Sequence, residues 1–190
     1  MTDKLEVLSC EPEHSKLFSL NSYLDLFEWS REMVHLGPMT ETELQAYLEP
    51  AIAEYAAEHV KAGRWSPAEA LEESRKEITQ LLPDGLKTAK QHLFSIRDDS
   101  GANLGMLWFA VRERGASRSA FIYDVRIDEP FQRRGYATQA FQALETLARD
   151  MGITAISLHV FGHNMAARAL YEKLGFVTTN LSMTKTIAEG

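Results

Sequence analysis

A chain of 190 residues with 45% apolar and 25% charged side chains can bury a full single-domain core, and this make-up excludes a disordered protein. Its 20 basic and 27 acidic side chains leave a net charge of −7, which disfavours a nucleic-acid backbone as partner. Cys10 is the one cysteine, so an intrachain disulfide is excluded; no apolar run reaches the roughly 18 residues of a membrane span, and the expectation is a cytoplasmic protein with no membrane partner.

In chain order, Leu17, Leu20, Leu24 and Phe27 recur at helical spacing, which predicts a helix within an N-terminal extension, residues 1–31. "MVHLGPM" (33–39) has the length of a short strand, with Pro38 suited to an edge or a strand end. Thr40 and Glu43 then form a capping box ahead of the stripe Leu44, Tyr47, Leu48, Ile52, Tyr55 and Val60, which stops at Gly63. Pro50 inside that stripe predicts a kink or a break. A second helix reads as N-capped by Ser66, with Pro67 first and Glu69 as the reciprocal partner, and with Leu71, Ser74, Ile78 and Leu81 on one face.

From residue 92 the pattern changes. "HLFSIRD" and "NLGMLWFAVRE" flank the turn "DSGA" as a hairpin, and the apolar run 104–111 predicts a central strand buried on both faces. A strand over 120–128, a helix from Tyr136 to Arg149, a strand over 153–161 and a helix from Asn164 to Leu174 follow. "FVTTNLSMTKTI" predicts a final strand, whose end "SMTKTI" would extend a sheet across a homodimer. This order predicts one mixed α/β domain over residues 32–190.

The junction "EPFQRRGYATQAFQALE" (129–145) carries the first chemical signal. A helix starting at Tyr136 leaves its first N–H groups unpaired at a positive dipole end, which suits an anion. Gly135 lets the backbone approach that anion, Ala137 keeps the next turn slim, and Arg133 and Arg134 add charge a phosphate can use. Charge is also unevenly spread: residues 1–90 hold 9 basic and 17 acidic side chains, and residues 91–190 hold 11 and 10. The second half can therefore meet an anion, and the first half suits a cation.

The spacing Gln132-x-x-Gly135-x-Ala137 resembles the pyrophosphate loop of the GNAT N-acetyltransferase superfamily, Q/R-x-x-G-x-G/A. "NMAARALYEKLGF" resembles that superfamily's N-x-x-A-x-x-L-Y-x-x-x-G-F pattern at Asn164, Ala167, Leu170, Tyr171, Gly175 and Phe176. Both motifs occur in order, each after a strand, and the resemblance covers roughly residues 33–187. Ala137 stands where glycine is commoner, a variant the pattern allows. The helical segment 57–85 resembles that of a largely uncharacterised bacterial subgroup.

The resemblance implies a mixed sheet whose two central parallel strands, here 120–128 and 153–161, splay apart to hold acetyl-CoA. It places the pantetheine arm on the backbone of Val125, Arg126 and Ile127, with Asn164 and the neighbouring Ala167 on its other side. The pyrophosphate falls on Gln132, Arg133, Arg134, Gly135, Tyr136, Ala137 and Thr138; Asn164 also reads as a plain helix N-cap. The implied reaction is direct attack of a primary amine, on a polyamine-like small molecule or on a protein, upon the thioester. An amine of pKa about 10.4 must lose a proton, and a thiolate of pKa about 8.5 must gain one. Tyr171 is the candidate acid, and Asp124 sits where some polyamine-acetylating relatives place an acidic residue near the amine. Tyr123, His159 and His163 are secondary candidates. Glu28, Glu32, Glu54 and Glu58 read as solvated helical charges whose sum favours a cationic acceptor.

Other chemistries lack their spacing: the six histidines show no metal-ligand pattern, and neither a nucleophile elbow nor a Walker loop occurs. The rival readings are a non-catalytic acyl-CoA sensor and a nucleic-acid-binding regulator. An intact Tyr171 argues against the first and the net charge against the second.

Overall fold

The computed structural model describes residues 33–183 and residue 185; the helix expected around Leu17–Phe27 lies outside them. Burial on both faces of one strand organises the described residues. Every residue from Leu104 to Val111 in β3 (Asn103–Arg114) is buried, as its unbroken apolar run requires. Around it stand β1 (His35–Pro38), β2 (Gln91–Arg97), β4 (Ser117–Ile127) and β5 (Ala155–Leu158), in the order β1-β2-β3-β4-β5. Neighbouring strands are antiparallel except β4 and β5, which are parallel and joined through helix α3 (Tyr136–Asp150).

Each sheet face has its own core. Leu107, Phe109 and Val111 of β3 meet Ala140, Phe141 and Leu144 of α3 on one face. On the other, Met106 and Trp108 meet Leu44, Tyr47 and Ala51 of α1 (Glu41–Lys61), and α2 (Ala70–Leu81) packs against α1. The last helix is α4 (Met165–Lys173). No helix of the described residues is long and apolar enough to cross a membrane.

The capping box does more than start a helix. One Glu43 oxygen accepts from the Thr40 N–H at 2.8 Å, and the other accepts from Arg97 at 2.5 Å and Asn103 at 3.1 Å. One carboxylate thus caps α1 and ties it to the β2–β3 hairpin. Its partial burial works against the charged form, but the bonds from Thr40 and the charge of Arg97 hold its pKa below the ordinary value.

Several expectations need correction. Pro50 neither breaks α1 nor ends it, because it lies on the exposed side, where water can take the carbonyl its missing N–H leaves free. Helix α2 begins at Ala70 rather than Pro67: Glu69 reaches the Ser66 N–H at 3.3 Å, but no side chain caps the helix. Its buried face is Ala70, Ser74 and Ile78, which leaves Leu71 exposed. The strand over 153–161 shrinks to Ala155–Leu158, and residues 176–183 carry no strand, with Val177, Leu181 and Met183 exposed. Their β propensity is a local preference that pairing alone turns into a strand.

At Gly105 the backbone of β4 leaves no room for a side chain on β3. A Cβ on Gly105, whose φ is 153°, would lie 2.0 Å from the carbonyl oxygen of Arg126 in β4. Gly105→Ala is therefore expected to cost about 3 kcal/mol or more in urea unfolding, because backbone rather than a flexible side chain must give way.

Candidate active site

The site begins with a defect in β4. Trp108 faces Asp124 while the next residue of β3, Phe109, faces Ile122, so Tyr123 is an extra residue bulged out of the ladder. Val125 then packs toward the α3 core, and Asp124 turns to the α1 side. Pairing between β4 and β5 ends at Ile122 with Leu158, whereas β4 runs on to Ile127. Beyond that fork no strand of the described residues covers the β4 edge facing away from β3. Val125, Arg126 and Ile127 present backbone groups there, which is the splay expected of these strands.

At the far end of β4 the chain turns into α3. Arg133 (φ 60°) and Gly135 (φ 87°) both adopt left-handed backbone, and no side chain caps α3. Arg133 and Arg134 are exposed. Ala137 and Thr138 lie half-buried in the first turn, and the Tyr136 side chain is buried in the core, so only its backbone can face a ligand. The Gln132 amide donates to the Ile127 carbonyl at 2.9 Å, tying the loop to its strand. The Asn164 side chain accepts from the Ala167 N–H at 3.1 Å, so it does cap α4. Tyr171 is half-buried against Phe141 and Phe176, and its hydroxyl makes no hydrogen bond to a described residue.

A cavity of about 790 Å³ opens on the α1 side of the fork. Its walls come from α1 (Tyr47, Glu54, Glu58, His59), from α2 (Glu77, Leu81), from the sheet (Trp108, Arg112, Phe121, Tyr123, Asp124) and from the chain after β5 (His159, Phe161, Asn164). Sequence reasoning missed Tyr47, one more apolar mark on a helical stripe. Its hydroxyl donates to Asp124 at 2.9 Å across 77 residues of chain. Glu54 and Glu58, expected to be merely solvated, line the cavity and are paired: Glu54 with Arg126 at 3.2 Å, and Glu58 with His163.

The electrostatics separate the two candidate groups. Burial raises the Asp124 pKa above the ordinary carboxylate value, against the opposing pull of Tyr47 and Arg126. Tyr171 is also raised, first by burial and then by the nearby Asp124 charge, so it holds its proton through the neutral range.

An open strand edge running into an uncapped, left-handed helix start, with a separate cavity at the fork, is the frame of an acyl transferase with two entrances. The family model described as Acetyltransferase (GNAT) family matches residues 48–176, and the chain belongs to that family. It is an N-acetyltransferase, and acetyl-CoA is the family's acetyl donor.

A Bacillus subtilis protein named uncharacterised N-acetyltransferase YycN is 43% identical over 81% of this chain and 99% of its own. The crystal structure of YycN superposes with a TM-score of 0.79, covering 83% of this chain and 100% of that one. A second B. subtilis relative, named uncharacterised N-acetyltransferase YdgE, is 33% identical over 80% of this chain and 97% of its own. The fold is also that of AAC(6')-Iy, solved in complex with a bisubstrate analogue, CoA-S-monomethyl-acetylneamine: the TM-score is 0.53 at 17% identity, over 82% of this chain and 98% of that one.

Proposed function

We propose that this acetyltransferase acts on a primary amine, which enters through the α1-side cavity and meets the thioester at the β4–β5 fork. The observation that carries this reading is the Asp124 carboxylate, half-buried at the fork and held at 2.9 Å by Tyr47. It stands where an ammonium must shed a proton before it can attack. That AAC(6')-Iy is solved with an acetylated amine joined to CoA agrees with an amine acceptor, although at this similarity it speaks for the fold alone.

The donor fits residues already described. Val125, Arg126 and Ile127 offer the unpaired strand edge that a pantetheine arm can complete, with Asn164 and Ala167 across the fork. Arg133, Arg134 and the N–H groups of Gly135 to Thr138 form the anion cradle for its pyrophosphate, and Gln132 holds the loop in place. Acetyl-CoA supplies an activated acyl carbon and a sulfur leaving group. In this reading Asp124 accepts the ammonium proton, directly or through water, the C–N bond forms as the C–S bond breaks, Tyr171 gives its proton to the departing thiolate, and the second proton shed by the acylated nitrogen returns, through water, to the Tyr171 phenolate. At pH 7, freeing an amine of pKa about 10.4 costs roughly 4.6 kcal/mol, so an acceptor for that proton matters more than any single binding contact.

The test is the pH profile of Tyr47→Phe. The phenol stabilises the ionised carboxylate, so removing it moves the Asp124 pKa further up. If Asp124 must be ionised to work, the acidic limb of kcat shifts to higher pH and the rate at neutral pH drops about tenfold. The acetyl-CoA affinity should stay as it was. An unmoved acidic limb rules Asp124 out as the proton acceptor.

A further inference from the structure

The charges lining the cavity do not all balance within it. Glu54 pairs with Arg126, Glu77 with Arg64 at 2.9 Å, and Glu58 with His163 and with Lys61 at 3.9 Å. Among the described lining residues, Asp124 and Arg112 form no ion pair: Asp124 is bonded to the neutral Tyr47 phenol, and Arg112 has no carboxylate beside it. The Arg112 guanidinium instead lies 3.7 Å over the Phe121 ring and 6.0 Å from that of Tyr123. An arginine resting on a ring is held in orientation while its N–H edges stay free to donate. None of those N–H groups donates to a described residue.

These two groups lie at opposite ends of one strand segment. Phe121, beneath the guanidinium, faces Ala110 and Asp124 faces Trp108, two positions apart on β3 because Tyr123 is bulged, which sets acid and base roughly 7 Å apart along the strand. A cavity that is acidic at the reacting end and basic at the other selects a dipolar molecule. A polycation fits it poorly, because its distal ammonium would face Arg112 while the carboxylates that could receive it are already engaged.

We infer that the acceptor carries an anionic group, carboxylate or phosphate, roughly 7 Å from the amine that is acetylated, and that Arg112 binds it. The inference rests on the amine-acceptor reading above and adds the chemistry of the acceptor's other end. That span is also the length of about two extended peptide residues, so a peptide amino terminus followed by an acidic group is within the same class.

The experiment compares four acceptors of equal length, roughly 7 Å between ends: an ω-amino carboxylate, its neutral primary amide, the matching ω-amino phosphate and the α,ω-diamine. Steady-state rates are measured with the full chain and with Arg112→Gln, which keeps the polar stem and removes the charge. The expected result is kcat/KM at least tenfold higher for an anionic acceptor than for the amide, carried by KM, with the diamine poorest. In Arg112→Gln that ratio falls to near one. The ratio of carboxylate to phosphate says which anion the site prefers. Equal use of amide and anions by the wild type, preference for the diamine, or an unchanged ratio in Arg112→Gln overturns the inference and leaves the amine reading standing. Failure of all four to accept acetyl while acetyl-CoA still binds overturns both.

Discussion

Gly135→Trp is expected to abolish measurable acetyl-CoA binding in a calorimetric titration, against a wild type that binds at micromolar strength. Two effects act together. Gly135 holds a φ of 87°, which costs a residue with a Cβ about 1–2 kcal/mol, and an indole would fill the space over the uncapped start of α3. Losing charge-assisted contacts to a phosphate adds several kcal/mol, so the dissociation constant should rise more than about a hundredfold. The buried part of this junction, Tyr136 and Ala140 in the α3 core, is untouched, so circular dichroism should be unchanged. A variant that binds as the wild type does would move the pyrophosphate away from this loop.

Tyr171→Phe should show the other large effect, and on a different constant. The ring packs on Phe141 and Phe176 at 5.8 and 5.7 Å between centroids, contacts that phenylalanine keeps, so stability and acetyl-CoA affinity should hardly move. What is lost is the hydroxyl, which makes no hydrogen bond within the described residues and therefore has no structural duty. If it protonates the leaving thiolate, kcat should fall about a hundredfold to ten-thousandfold. The raised pKa of this phenol sharpens the test: it is protonated at every working pH, so the loss should be the same from pH 6 to 9. A loss confined to one end of that range would point to a charge effect on Asp124 instead.

Much of this site was legible in the sequence because its signals are local. The left-handed Gly135, the helix start behind it, the Asn164 cap and the doubly buried β3 are each announced by neighbours a few residues away. The cavity was not legible, because its walls are contacts between distant segments. Tyr47 meets Asp124 across 77 positions and Glu54 meets Arg126 across 72, and helical periodicity shows only which face of the helix a residue lies on, not what it meets. Asp124 was found from its strand and the family motif, whereas its partner carried no motif. The missed C-terminal strand failed for a related reason: alternation says a segment could pair, and pairing depends on an edge the sequence does not show.

Helix α1 grips β4 at two alternate residues, Tyr47 to Asp124 and Glu54 to Arg126. Under the proposed function, the wall that would meet the acceptor and the strand that would meet the donor therefore share parts, and a change on one is felt by the other. For the history of such a protein this limits modularity. A new acceptor preference cannot arise by swapping α1 alone, because positions 47 and 54 must travel with 124 and 126 as one inherited set. Arg112, held on the Phe121 ring, lies outside that set, so the far end of the cavity can change without it.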